Sequence, residues 1–168
     1  MEMLYRWSDA QPRPDRHAAE VVFALIDGGA TSSSPQEATP LRFLLPNDRS
    51  TMNRDRVLAG AKSLAIEMAS GYSPPAAPVI EAAGRDIYAK IEAELSSARD
   101  QQQISPHSHT VGRELARVMC GGDVDPDTTL SEQAVFDLER QAFLNLARSE
   151  PTLARIEHTL ATGKPLRN

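Results

Sequence analysis

Glycine and proline clusters divide this chain into short segments, and this division constrains its fold more than any other feature. The main interruptions are Gly28-Gly29, Pro74-Pro75 with Pro78, and Gly121-Gly122. Proline removes an amide donor and glycine accepts a left-handed backbone, so both commonly end helices. Between the interruptions, apolar residues recur at three- and four-residue spacing. The pattern predicts an all-α protein with about five to six helices in a bundle-like arrangement and no substantial sheet.

The helix predicted after Thr51 has the clearest amphipathic pattern in the first half of the chain. Thr51 or Asn53 can cap its start, and Gly71 stands where a left-handed cap is expected. Before it, Pro35 can occupy the first position of a shorter helix. The apolar positions of the longer helix share one face: Val57, Leu58, Ala61, Leu64, Ala65 and Met68.

Further helices are predicted after the proline cluster, and most of their ends carry recognisable signals. The first covers residues 80–98. Ser105 can cap the second, whose first turn then holds Pro106. Pro151 begins the last helix and Gly163 ends it.

The longest of these helices is predicted to start near Thr129. Thr129 and Glu132 have the spacing of a capping box. We expect the helix to be buried on two sides, because its apolar residues cover more than one stripe. Those residues are Val135, Phe136, Leu138, Ala142, Phe143, Leu146 and Ala147.

The same signals predict four segments along the chain. Residues 1–16 are polar and contain two prolines, which is typical of a flexible arm. Residues 17–73 form a helical segment, and residues 74–79 form a proline-rich connector. Residues 80–168 form a C-terminal helical bundle.

Charge and cysteine content exclude several function classes. The net charge of −5 argues against a general nucleic-acid-binding protein, which would carry a basic face. The only dense apolar run, Val21–Ile26, is too short to cross a bilayer. Cys120 is the single cysteine, so no intrachain disulfide can form. No secretory signal pattern follows Met1. We therefore expect a cytoplasmic protein with no nucleic-acid or membrane partner.

One acidic segment resembles the start of a calcium-binding loop. Asp123, Asp125 and Asp127 alternate as the first ligands of such a loop would. However, Thr128 stands where the turn needs glycine, and Ala134 stands where the loop needs a bidentate glutamate. We interpret the segment as a solvated loop between helices and predict no metal site.

The histidines and the cysteine also receive structural interpretations. His107 and His109 are two residues apart, so on a helix they point in different directions. We expect both to be surface residues near a helix start. Cys120 follows a helix, where the dipole does not favour a thiolate, so we expect a buried small apolar residue. No catalytic residue and no cofactor are predicted.

A basic cluster is the one candidate ligand site in the sequence. Arg54, Arg56 and Lys62 lie in or near the helix after Thr51, and Lys164 and Arg167 lie at the extreme C-terminus. A basic patch of these residues could contact the phosphates of a nucleotide-like ligand. The alternative is an ordinary solvated face, with local ion pairs to Asp55 and Glu67.

Several stretches resemble the C-terminal region of bacterial 3-hydroxyacyl-CoA dehydrogenases fused to an enoyl-CoA hydratase (crotonase-like) region. The resemblance covers roughly residues 18–168 and is strong from about residue 51. The most family-specific stretches are Asp137–Leu144 and Gly163–Asn168. The stretches that carry it are Thr51–Ala59 with Ala61-Lys62, Ala69–Pro75, Val111–Ala116, Gly121–Asp123, Ser131–Gln133, Asp137–Leu144 and Gly163–Asn168.

The resemblance implies a protein without the family's active sites. In that family the dehydrogenase half needs a Gly-rich dinucleotide loop with a catalytic His and Glu. The hydratase half needs backbone amides for the thioester oxyanion and acidic residues for proton transfer. None of these motifs falls in the resembling stretches, so no catalytic residue is carried over.

The leading hypothesis is therefore a non-catalytic helical structural or binding module linked to acyl-CoA metabolism. It would self-associate as a homodimer or contact acyl-CoA, with Arg54, Arg56 and Lys62 as the phosphate contacts. The alternative is an accessory subunit of a split β-oxidation enzyme, active only with a partner that carries the catalytic core. A third possibility is a folded remnant without a function.

Overall fold

The structure is a computed structural model that describes residues 2–8, 16–77 and 79–168. The described residues are mostly helical and contain one small sheet, which confirms the predicted all-α class. The elements in chain order are α1 (Glu2–Ser8), α2 (Ala18–Asp27), α3 (Pro35–Ala38), a 3₁₀ turn (Arg54–Arg56), α4 (Val57–Ala69), β1 (Val79–Glu81), α5 (Gly84–Asp100), α6 (Pro106–Met119), β2 (Thr129–Ser131), α7 (Glu132–Ala147) and α8 (Glu150–Thr162).

The chain divides into two compact units. The larger unit comprises Met1–Ala30 and Pro78–Asn168, and the smaller unit comprises Thr31–Ala77. The predicted segment at residues 17–73 includes α2, whereas in the structure α2 belongs to the same unit as the C-terminal helices. The reason is that Ala19 and Phe23 of α2 are buried in the core of the larger unit.

The main core of the larger unit lies where α2, α5 and α6 pack together. Gly112 allows α5 and α6 to approach closely, since a Cβ atom there would lie 2.9 Å from a Leu95 methyl carbon. The buried members of this core are Ala19, Phe23, Ala83, Ile91, Leu95, Ala116 and Cys120. Burial of these apolar side chains is the main stabilising contribution to the unit.

A second buried cluster lies under α7. It consists of Ile80 from β1, Val118 from α6, and Val135 and Ala142 from α7. The two short strands pair antiparallel, with Ile80 opposite Leu130. The sheet therefore fixes the start of α7 against the end of α6.

Most predicted helix ends are confirmed by their capping contacts. Ser105 Oγ accepts a hydrogen bond from the Ser108 amide at 3.0 Å, and Pro106 is the first residue of α6. Ser34 caps α3 in the same way, with Pro35 at its first position. Gly163 ends α8 with a left-handed backbone at φ +68°.

The predicted start of α7 is wrong by two residues. Ser131 Oγ, rather than Thr129, accepts the capping hydrogen bond, from the Ala134 amide at 3.2 Å. Thr129 lies in β2 instead, because its strand pairs with Glu81 of β1. A tertiary contact thus decides between two residues that could each cap the helix.

The expectation that α7 is buried on two sides is also wrong. Val135 and Ala142 are its only residues classed as buried within the described chain. Phe136 and Phe143 are 43% and 63% exposed, respectively. The second apolar stripe of α7 is therefore open to solvent.

The predicted N-terminal arm contains a short helix. Residues Glu2–Ser8 form α1, and Leu4 packs against the main core. The part of the predicted arm at residues 9–15 lies outside the described residues. The predicted connector ends in a strand, since Val79 belongs to β1.

None of the described helices is long and apolar enough to cross a membrane.

Candidate functional site

The smaller unit carries the predicted basic cluster at the start of α4. Arg54 and Arg56 lie in the 3₁₀ turn, which Asn53 caps through a 3.0 Å hydrogen bond from the Asp55 amide to Asn53 Oδ1. Lys62 follows on α4.

All three basic side chains are exposed. Within the described part of the chain none of them makes an ion pair or hydrogen bond. Arg56 and Lys62 are six residues apart, so they point about 120° apart around a helix. Their contact with acyl-CoA phosphates stays a prediction.

Among the described residues, the ion pairs expected between this cluster and Asp55 or Glu67 do not form, and Glu67 pairs with Arg49 instead. Glu67, the predicted partner of Arg54 or Arg56, instead pairs with Arg49 at 3.2 Å. Both side chains of that pair are largely exposed, so it contributes little to stability. The basic cluster therefore keeps its charge available at the surface.

The apolar face of α4 is uncovered. The helix forms where the sequence predicts it, yet none of its 13 residues is buried. Leu58 is 81% exposed and Met68 is 63% exposed. A sequence with helical apolar spacing normally places that face in a core. Here the predicted helix is confirmed, but the described residues of the smaller unit leave its apolar face open to solvent.

The larger unit contains an open groove of about 840 Å³. Its floor is the face of α6 that carries Val111, Leu115 and Val118. One wall is α7, through Ala142, Phe143 and Leu146, and the other side includes Ile26 and Asp27 at the end of α2. Its size is in the range of sites for small organic ligands.

One end of the groove is cationic. Arg155 of α8 lies there with its guanidinium 2.9 Å from Ser108 Oγ and 2.7 Å from Asn168 Oδ1. Arg167 also lines this end, and within the described residues its side chain has no ion pair or hydrogen bond. The first guanidinium is held in place and the second is available.

The acidic residues of the groove are spread over three helices. Glu114 Oε2 lies 3.7 Å from Arg117 Nη1, so its charge is partly balanced. Partial burial raises the pKa of Asp27. Glu139 is exposed on α7. The sequence does not predict this groove, because the helical spacing of apolar residues in α6 and α7 does not show which apolar stripe stays uncovered.

The histidines are placed differently from the sequence prediction. His107 and His109 are both buried rather than on the surface. His107 Nε2 lies 3.0 Å from Thr152 Oγ1 of α8, and His109 Nε2 lies 3.2 Å from Ser96 Oγ of α5. Because the two rings point in different directions, each one meets a different neighbouring helix.

Cys120 and the acidic loop take the structural roles predicted for them. Cys120 is fully buried in the main core, and burial raises the pKa of its thiol to about 12. In the loop after it, Asp125 pairs with Arg85 at 3.2 Å. Within the described residues, no three His, Cys, Asp or Glu side chains are grouped as metal ligands would be.

Comparison with curated proteins identifies a relative among dehydrogenases. Over 153 residues the chain is 33% identical to a probable 3-hydroxyacyl-CoA dehydrogenase of Bacillus subtilis (strain 168). The match covers 90% of this chain and 19% of that protein, so the chain spans about a fifth of the length of the relative. No family model matches the chain, and no solved structure matches it. The predicted resemblance is thus confirmed for one part of a 3-hydroxyacyl-CoA dehydrogenase.

Proposed function

We propose that this chain is a non-catalytic helical module of fatty-acid β-oxidation that docks through the apolar face of α4. The observation that carries the proposal is that no residue of this helix is buried, although its apolar residues share one face. Apolar faces of this kind mark protein interaction sites. The assignment to β-oxidation is supported by the similarity to a probable 3-hydroxyacyl-CoA dehydrogenase.

The first partner that we propose is a second copy of the chain. The docking face combines large residues, Leu58 and Met68, with small ones, Ala61 and Ala65. Small residues let two helix backbones approach, and large ones fill the space beside them. An isologous dimer would cover the same face on both subunits.

Light scattering on size-exclusion fractions tests this proposal. Met68→Glu places a charge on the docking face, whereas Ile66→Glu places one about 160° away on the same helix. The two side chains are 63% and 65% exposed, so both variants should keep the fold. We expect the unaltered chain and Ile66→Glu to be dimers and Met68→Glu to be a monomer. A monomer in all three would overturn self-association.

An accessory subunit of a split β-oxidation enzyme is the second candidate. It is favoured by the length of the relative, since roughly four fifths of that protein lies outside the match. In this case the α4 face would contact a catalytic core on another chain. Co-purification with such a core, lost in Met68→Glu but kept in Ile66→Glu, would support it. Equal capture of both variants would contradict it.

Contact with acyl-CoA is proposed for the basic cluster. Arg54, Arg56 and Lys62 are exposed cations without partners in the described chain, and guanidinium groups bind phosphates well. Calorimetric titration with a medium-chain acyl-CoA should show heat of binding that Arg54→Ala with Lys62→Ala removes. Arg140→Ala, which removes an exposed arginine of α7, is the control. No heat with the unaltered chain would overturn this contact.

A further inference from the structure

We propose that the groove on α6 and α7 binds a single-chain amphiphile with an anionic head. The apolar chain would lie along α6 and α7, and the head would lie at the end that holds Arg155 and Arg167. This site belongs to the larger unit, so the proposal does not depend on docking through α4.

The groove is lined by apolar side chains from both α6 and α7. Val111, Leu115 and Val118 are spaced so that they share one face of α6. Phe143 and Leu146 flank them from α7. An unbranched apolar chain in the groove would cover apolar surface that is now open to solvent, such as that of Phe143, which is 63% exposed.

The orientation of the ligand in the groove follows from the positions of the helix ends. The start of α6 lies beside α8, because His107 meets Thr152 there. The end of α6 packs under the start of α7 through Val118 and Val135. Arg155 and Arg167 therefore mark one end of the groove, and the opposite end is built from apolar residues.

Arg155 and Arg167 supply positive charge to the groove. Arg155 donates from Nε to Asn168 Oδ1 and from Nη2 to Ser108 Oγ and the Asn168 main-chain oxygen, so its guanidinium is held in place and an anion would meet its Nη1 group. Arg167 has no partner in the described chain and can move toward the same head. Guanidinium groups bind carboxylate and phosphate through paired N–H donors.

The acidic residues nearby do not cancel this charge. Arg117 Nη1 lies 3.7 Å from Glu114 Oε2 and offsets part of its charge, although this oxygen accepts no hydrogen bond within the described residues. Glu139 lines the groove from α7 and is exposed to solvent. An anionic head is thus favoured at the arginine end.

Titration of the full chain with decanoate tests the inference. Decan-1-ol supplies the same chain without the charge, and butanoate supplies the head with a short chain. All are used below the concentration at which decanoate forms micelles. We expect decanoate to bind most tightly, decan-1-ol more weakly, and butanoate not at all.

Two pairs of variants separate the head contact from the chain contact. Arg167→Ala should weaken decanoate binding by about two- to fivefold and leave decan-1-ol unchanged. Arg140→Ala, an exposed arginine of α7 that does not line the groove, should change neither. Phe143→Ser should weaken both ligands by about fivefold, and Phe136→Ser, outside the groove lining, should weaken neither.

Several outcomes would overturn the site. These are no decanoate binding below the micelle concentration, equal affinity for decanoate and decan-1-ol, or equal effects of each variant and its control. A melting temperature lowered by decanoate would also count against it, since a ligand of the folded state raises that temperature. Because Phe143 and Arg167 are exposed, their replacement should not unfold the chain.

Discussion

His107 Nε2 and Thr152 Oγ1 lie 3.0 Å apart and join the start of α6 to the start of α8. Arg155 adds a second contact one turn later, through its 2.9 Å hydrogen bond to Ser108 Oγ. Since α8 has no residue classed as buried, these polar contacts contribute much of its attachment. The pair also makes this attachment sensitive to pH.

Acidification should loosen the α8 attachment through His107. Burial lowers the pKa of His107 below its ordinary value of 6.5, and the nearby Arg155 charge lowers it further. The unfolded chain therefore binds the proton at a higher pH than the folded chain, so stability falls as the pH drops below about 6.5. Below the folded pKa no further loss is expected from this group.

Urea denaturation between about pH 8 and pH 5 measures this effect. We expect His107→Gln to reduce the loss of stability on acidification, because glutamine does not titrate there. His158→Gln, on α8 but outside the His107 contact, is the matched control. An unchanged pH dependence in His107→Gln would show that other groups cause it.

The buried carboxylate of Glu20 should depend on Lys90. Lys90 Nζ lies 2.7 Å from Glu20 Oε1, and the His17 amide donates to Oε2 at 2.8 Å. Burial raises the pKa of Glu20, but the Lys90 and His17 hydrogen bonds and the nearby positive charges outweigh it and lower the pKa. The resulting stability is present above about pH 4.5 and is lost as the pH falls through the lowered folded pKa.

Lys90→Met tests this pair at neutral pH. It should destabilise the protein by about 1–3 kcal/mol, because it leaves a buried carboxylate with one donor fewer. Arg140→Met removes an exposed pair with Asp137 and should cost less than about 1 kcal/mol. Equal free energies of unfolding for the two variants would contradict the expectation.

Gly84 should tolerate no side chain. Its φ is +73°, and a Cβ atom would meet the backbone of Pro126 and lie 2.8 Å from the carbonyl carbon of Asp125. Left-handed backbone costs about 1–2 kcal/mol for a residue with a Cβ atom, and overpacking adds about 1–3 kcal/mol. Gly84→Ala should therefore lower the free energy of unfolding by about 2–5 kcal/mol.

Gly29→Ala is the control for Gly84→Ala. Gly29 has a similar φ of +61°, but open space surrounds its Cβ position. Its replacement should cost only the backbone contribution, about 1–2 kcal/mol. Chemical denaturation of both variants would distinguish the two contributions, and equal losses would contradict the role of the Pro126 contact.

Cys120 should react with disulfide reagents only after the core opens. Its side chain is fully buried, and the pKa of about 12 leaves almost no thiolate near pH 8. We expect slow labelling in buffer and fast labelling in urea. Ser63→Cys in a Cys120→Ala background places a thiol on exposed α4 and should react fast in both. Rapid labelling of native Cys120 would contradict its place in the core.

Local chemistry alone was enough to place most helix ends. Ser105 and Pro106 start α6, and Ser34 and Pro35 start α3, because a cap acts within one turn of the chain. The left-handed stop at Gly163 is local in the same way. The resemblance to a dehydrogenase could also be recognised from the sequence, since it depends only on the order of the residues.

Burial could be decided only by the tertiary structure, because it depends on residues far apart in the chain. Amphipathic spacing is the same in α4, whose face is uncovered, and in α5, where Ile91 is only 2% exposed. His107 is buried because Thr152, 45 residues away, meets it. The groove exists because α7 covers one stripe of α6 and leaves another open. The sequence determined which surfaces could be buried, and packing decided which of them were.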